Sequence, residues 1–381
     1  MEINNVYRAK RFTAPTIREN NYIFGEVALA ATIKDIKDRT GLSLATISKY
    51  LNGGNLLPEN REKIERAIKE LHYEVNEMAR GLVTSQSRVI GIVVFNIANV
   101  FTCTVLRYLG QRIREAGYAA MICDSQDDER MEADNIRFLL GKKVDGLIVI
   151  PVAQTSEFLD PAVRAGIPVV LLDRSLPDRR FDSVKINNAE ASYQAVDLLY
   201  SYGHRRIAVI GSDSEITGRE RLEGCLRLLR DRRTELPDRY LKLGRHSMEH
   251  GYRSMKELLA LADPPTAVFL GNFEIILGAV MAVNESDRSC PGDISLIGFD
   301  DLIISNLSNP RLTLVVQPLE GIASAAAELL FRRLEQEKTL PADKDADQDR
   351  ERQCVELVLP ARITEGDSVA RRIEEGGDRN D

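Results

Sequence analysis

Residues 32–52 read TIKDIKDRTGLSLATISKYLN, and this stretch decides the nature of the first domain. Thr32 with Asp35 three residues later spells a capping box, in which a hydroxyl takes a free helix amide and the acid reaches back. Ile33 and Ile36 share an apolar face, and Gly41 ends the helix. Ser43 offers a second N-cap, predicting a helix over 44–51 with Ile47, Tyr50 and Leu51 inward. Its outer face presents Leu44, Ala45, Ser48 and Lys49, side chains short or basic enough to enter a major groove. A third helix starts near Pro58, with Ile64, Ala67, Ile68 and Leu71 inward. Two short helices about a Gly-containing turn make a helix-turn-helix, whose second helix reads base edges. By pattern alone, a small helical bundle or a protein-docking domain fits the same residues.

Beyond this head the pattern changes. Short apolar runs recur at Val89–Phe95, Ala119–Cys123, Gly146–Pro151, Pro168–Leu172, Ile207–Ile210, Ala267–Leu270 and Ile294–Ile297, with amphipathic segments between most of them. Continuous apolar strands alternating with helices predict parallel sheets covered on both faces. Residues 1–30 lack a clean period and read as an extension without regular structure. PADKDADQDRERQ, residues 341–353, reads as a solvated loop, and the charged end 370–381 as a fraying tail.

Composition narrows the classes without choosing among them. At 381 residues the chain is too long for one ordinary domain, and 44% apolar with 29% charged residues suits a globular protein. No apolar run approaches the ~18 residues of a membrane span, and no secretory segment is evident at the N-terminus. The five cysteines (Cys103, Cys123, Cys225, Cys290, Cys354) are scattered without a CxxC pair, which fits a reducing cytoplasm. The net charge is −7; residues 1–84 hold 13 basic and 11 acidic residues against 38 and 47 in the rest. A head so nearly neutral should touch few phosphates, so non-specific DNA affinity should be modest.

The residues quoted from the head, continued by Arg61-Glu62-Lys63-Ile64, Leu71-His72-Tyr73, Asn76, Ala79-Arg80 and Leu82, resemble the LacI/GalR repressor family. The resemblance runs from residue 32 to about 369. It implies an N-terminal all-α helix-turn-helix head over 31–74, a hinge helix and linker over 75–86, and an α/β, two-lobed, periplasmic-binding-protein-like domain with parallel sheets over 87–369. It implies that Leu44, Ala45 and Lys49 face bases while Thr46, Ser48 and Asn52 support backbone contacts or the helix itself. The full DNA-facing set is then Thr32, Ser43, Leu44, Ala45, Thr46, Ser48, Lys49 and Asn52, followed by Asn76, Ala79, Arg80 and Leu82. Leu82 would be the wedge that the hinge drives into the minor groove. Val75 in place of the usual Pro, Glu77, and Gly81 inside the hinge depart from the family. Gly costs about 1 kcal/mol against Ala in a helix, so this hinge is expected to be a reluctant helix and Gly81→Ala to tighten operator binding.

Asp145-Gly146-Leu147-Ile148, Pro168–Arg174, Gly203–Ala208 and Ile297–Asp301 resemble the family's effector domain. Ligands in open α/β sheets bind at the carboxyl ends of strands. The positions carried over are Phe101, Asp173, Arg174, Thr217, Arg221, Asn272, Phe273, Asp300 and Gln317, a set suited to hydroxyl groups and a flat apolar face. The plainer reading of Asp173, Arg174 and Asp300 is that they cap the loops after strands. Phe95-Asn96 replaces a common Pro-Asp, Val100 replaces Pro, Phe273 replaces Asp, and the chain has no Trp, so Phe101 and Phe273 must serve for stacking.

Gly203-His204-Arg205-Arg206 reads as a helix end, its basic residues satisfying the last carbonyls. His246-Ser247-Met248-Glu249-His250 spells H-x-x-E-H, but neighbouring glycines and the lack of another ligand cluster argue against a metal site, and the resemblance implies an ordinary surface helix start. There is no GxGxxG, Walker A or GxSxG sequence, so neither a cofactor nor an enzyme is expected. The expected partners are pseudo-palindromic operator DNA, a small polar effector (a sugar or sugar phosphate) and a second copy of the chain, with no membrane. A sugar-binding protein without a DNA role is the alternative, as is a regulator answering to a nucleobase or a protein co-repressor.

Overall fold

The computed structural model describes residues 31–51, 53–73, 86–300, 308–339 and 354–372. The hinge residues Asn76, Ala79, Arg80, Gly81 and Leu82, together with Asn52 and residues 1–30, lie outside them. Contacts divide the chain into a head and a body.

In the head, α1 (Ile33–Thr40), α2 (Leu44–Leu51) and α3 (Pro58–Leu71) close around Ile36, Ile47, Ile64 and Ala67, all buried. Asp35 accepts from the Thr32 backbone N–H at 2.7 Å as expected. Both halves of the box are present, and the Thr32 hydroxyl also donates to the same carboxylate at 2.8 Å. Gly41 sits at φ 71° at the end of α1, the left-handed turn that a Cβ resists. Ser43 caps α2 by accepting from the Thr46 N–H at 3.1 Å.

The body begins with β1 (Val89–Val94), α4 (Val100–Glu115), β2 (Ala119–Asp124), α5 (Glu129–Gly141), β3 (Gly146–Val149), α6 (Asp160–Arg164), β4 (Val169–Leu172) and β5 (Asp182–Ile186). Next come α7 (Asn188–Ser201), β6 (Ile207–Gly211), α8 (Ile216–Asp231), β7 (Leu241–Leu243), α9 (Met248–Leu259), β8 (Ala267–Leu270), α10 (Phe273–Asn284) and β9 (Ser295–Phe299). The chain closes with β10 (Thr313–Val316), α11 (Leu319–Thr339), β11 (Glu356–Leu359) and β12 (Arg362–Thr364).

Among the described residues these strands form two six-stranded sheets, β11-β5-β4-β3-β1-β2 and β12-β10-β9-β8-β6-β7. The first is parallel throughout; in the second only β12 runs antiparallel, against β10. Each sheet with its helices is a lobe. The central strands β3, β4, β6, β8 and β9 are buried along their whole length, as a sheet covered on both faces requires. The chain crosses between lobes where β5 passes into α7, where β10 passes into α11, and between β11 and β12.

Two expectations change. The tail was expected to fray from residue 370, but the Arg372 N–H donates to Tyr202 O at 2.7 Å and Arg372 O lies against Gly203, so the chain is held that far. The H-x-x-E-H segment is no ordinary surface start. Ser247 caps α9 through the His250 N–H, His250 is buried, and His246 turns toward the space between the lobes. Arg205 does donate to Tyr200 O at 3.0 Å, as the helix-end reading required.

Candidate functional site

The face of α2 opposite Ile47 is the head's candidate reading surface. Leu44, Ala45 and Lys49 are exposed, and Thr46 and Ser48 partly so. Leu44 is 40% exposed on a helix whose inner residues are covered, which leaves an apolar side chain available to a base edge. Ion pairs on the flank, Arg39–Glu70 at 2.6 Å and Lys63–Glu59 at 2.9 Å, occupy α1 and α3 rather than this face.

Between the lobes lies a cleft of about 580 Å³. The sequence places helix caps directly after strand ends: Asn99 after β1, Glu215 after β6 and Asn272 after β8, the last accepting from the Ile275 N–H at 3.0 Å. These strand ends and caps make the walls. Asp173 follows β4 at φ 68° and Asp300 follows β9 at φ 88°. A non-glycine residue in this region is uncommon; Asp tolerates it, and such strain gathers at functional positions. Loop capping alone does not explain two carboxylates so placed on one cavity.

The cleft's buried guanidiniums are fixed by what they touch. Arg221 donates through Nε to Asn188 at 2.9 Å and through Nη1 to Gly271 O at 2.8 Å. It also lies 3.7 Å from the Phe299 ring centroid and 3.8 Å from Asp300. Arg174 donates to Pro151 O at 2.7 Å, stacks on Phe95 and sits 3.6 Å from Asp173. Burial pushes the Asp173 carboxyl above the ordinary range, with Arg174 and Arg221 pulling it back. Burial also raises Glu274, and nearby Asp300 adds to that. Burial opposes ionisation of Glu215, yet His246, the Ser212 and Ser214 hydroxyls and Arg174 hold its carboxyl low. His246, 3.6 Å from Glu215, is pulled down by burial, with the Glu215 carboxylate pulling the other way.

Across the cleft, Asn99 of the first lobe donates to Glu274 of the second at 2.7 Å, and Arg219 donates to Gln154 at 3.1 Å. A ligand entering here touches both lobes and the bonds that join them.

Of the residues carried over from the sequence, Phe101, Asp173, Arg174, Thr217, Arg221, Asn272, Asp300 and Gln317 all line the cleft. Phe273 does not: as the first residue of α10 it lines a smaller adjoining niche with Phe101, Asp300 and Gln317. Sequence reasoning missed Asn99, Gln154, Glu215, Arg245, His246 and Glu274. The rule that polar caps after strands face the ligand would have found Asn99 and Glu215. Among the described residues no cluster of three metal-ligating side chains exists, and no helix is long and apolar enough to cross a membrane.

Residues 196–369 match the model of a periplasmic binding protein-like domain. The chain is 30% identical over 309 residues to the ribose operon repressor of Escherichia coli, covering 80% of this chain and 94% of the relative. It superimposes on the Lac repressor dimer bound to operator and an anti-inducer with a TM-score of 0.77 at 23% identity, covering 90% of this chain and 99% of that one. The complex of the transcriptional regulator CelR with cellobiose matches at a TM-score of 0.64 and 27% identity, covering 89% and 99%.

Proposed function

From the premise that the chain belongs to the LacI/GalR family of transcriptional regulators, we propose that it is a cytoplasmic, homodimeric repressor of a carbohydrate-use operon. The observation that carries the effector half of this reading is the pair of strained carboxylates, Asp173 and Asp300, facing one interlobe cavity with Arg221 between them in charge. Carboxylates accept two hydroxyl protons each, buried arginine donates in return, and Phe101 offers an apolar face for a sugar ring. Of the two effector classes expected, the unphosphorylated sugar fits better. Six carboxylates and three arginines line the cleft among the described residues, and the two buried arginines are already committed to backbone carbonyls.

Two heads read a pseudo-palindrome through paired α2 helices. A dimer is also supported by apolar side chains left exposed along one edge of the first lobe: Ile122 on edge strand β2, with Met131 and Phe138 on α5. Effector binding re-sets the lobes and, through residues 76–82, the operator affinity. Selection of genomic fragments by the purified protein, with and without candidate sugars, tests this. A pseudo-palindrome beside sugar-transport or sugar-processing genes, released or retained according to the sugar, is the expected result. A sugar that fills the cleft while leaving operator affinity unchanged would overturn the mechanism.

A further inference from the structure

Beside the main cleft, and sharing Asn99, Phe101, Asp300 and Gln317 with it, is a niche of about 30 Å³. Its remaining walls, Val100, Phe273 and Leu319, are apolar. The volume is that of one small polar head group, roughly the share of a single water molecule in the liquid. Inside it acceptors outnumber donors. Gln317 is 7% exposed, and its amide nitrogen donates to Asp300. That contact fixes the orientation of the amide, since the Asp300 carboxylate can only accept. Gln317, which lines the niche, thereby keeps Oε1 buried with no donor among the described residues. Asp300 brings the niche a second set of acceptor lone pairs. With the Asn99 amide as the other polar wall, already donating to Glu274, these acceptors favour a group that donates hydrogen bonds.

Charge points the same way. Asp173, Glu274 and Asp300 stand close enough for Asp300 to raise the other two, and Arg221 is the guanidinium within ion-pair distance of Asp300. Phosphate or carboxylate here would meet carboxylates at close range. A neutral hydroxyl supplies one donor where acceptors remain on both Asp300 and Gln317. An ammonium group supplies three donors and a positive charge, and the Phe101 and Phe273 rings tolerate a cation as they do not an anion.

We propose that the effector is an amino sugar whose protonated nitrogen occupies this niche, held by Asp300 and Gln317 Oε1 between Phe101 and Phe273. The inference rests on the reading of the cleft as a sugar site and specifies which sugars.

Titration calorimetry of the full-length protein with glucosamine, galactosamine, mannosamine and the β-1,4-linked glucosamine disaccharide tests it. Each is paired with its N-acetyl and its hydroxyl counterpart, and glucose 6-phosphate is included. At least one amine binding about tenfold tighter than both of its counterparts is expected. Asp300→Asn then brings that amine to within about threefold of its hydroxyl counterpart, and Phe273→Leu, which keeps the niche apolar, also narrows the gap. Circular dichroism on each variant separates a lost charge from a lost fold. A neutral or phosphorylated sugar bound as well as any amine overturns the proposal and leaves the regulator intact. So does silence from the whole panel in a protein that still selects operator fragments. Failure to select operator fragments counts instead against the reading on which the proposal rests.

Discussion

On the proposed function, the α2 face and the cleft solve recognition in opposite ways. On α2 the working side chains stand in water, and the structure's effort goes into the buried isoleucines behind them. In the cleft the working side chains are themselves buried, strained or ion-paired, so the site and the fold share the same atoms. Substitutions on the exposed face of α2 should therefore separate binding from stability, whereas substitutions in the cleft should not.

The sharpest way to break this contrast is Arg221→Met. Removing one partner of a buried ion pair should cost about 3–5 kcal/mol of body stability along with all measurable effector binding. Calorimetry of the unfolding transition and a sugar titration check both; loss of binding at unchanged stability would place the cleft with the head. Ile47→Ala comes next, at about 2–5 kcal/mol for a buried aliphatic truncation. A three-helix head has little stability to lose. Operator binding should vanish while effector titration is preserved, as fluorescence anisotropy and calorimetry would record.

Lys49→Ala tests the other half of the contrast, because Lys49 is exposed and its loss should leave the melting curve in place. A base contact would cost about 1–3 kcal/mol at one base-pair position. Uniform weakening with a shallower salt slope would instead assign Lys49 to phosphate.

Acid should act on the body through His204, buried between Thr266 and the Ala370 carbonyl and pulled down by burial from 6.5 to about 4. The folded state thus favours neutral imidazole. The contribution is complete above pH 6.5 and is lost as pH falls from 6.5 to 4, at up to about 1.4 kcal/mol per pH unit. His204→Gln should flatten the thermal midpoint over that window, and an unchanged slope would place the proton elsewhere. The smallest effect is Ser43→Ala, about 1 kcal/mol from the lost cap of α2, read as a small drop in head stability with base preference unaltered.

The head was legible because its signals are local. Capping residues, Gly41 and an apolar face fall within twenty residues, and tertiary packing had only to accept them. The seven apolar runs all became strands for the same reason. β5, β7, β10, β11 and β12 were missed; several are three or four residues long, and β7 and β11 are half-exposed, so periodicity has little to act on. In the cleft the carboxylates after β4 and β9 were readable from motif resemblance. Glu274 and His246 were not, because what makes them part of the site is the approach of a second lobe rather than anything beside them in the chain. Phe273 lines the adjoining niche rather than the main cleft, a distinction the sequence does not carry, since it cannot tell which side of a helix's first turn faces an opening.

The pairing of β5 with β11 also sets a timetable. One side of β5 pairs early with β4, but residues 183–186 receive their partners on the outer side only when residues 356–359 have been made. At ~5–20 residues per second the ribosome needs roughly 10–35 s to supply that neighbour, during which β5 is a bare edge in a nascent chain. Asp182 waits nearly as long for Arg333, whose guanidinium finally binds it at 2.7 and 2.8 Å. Until then Asp182 and Lys185 put charge on the waiting edge, the kind of residue that keeps one unfinished chain from zipping onto another.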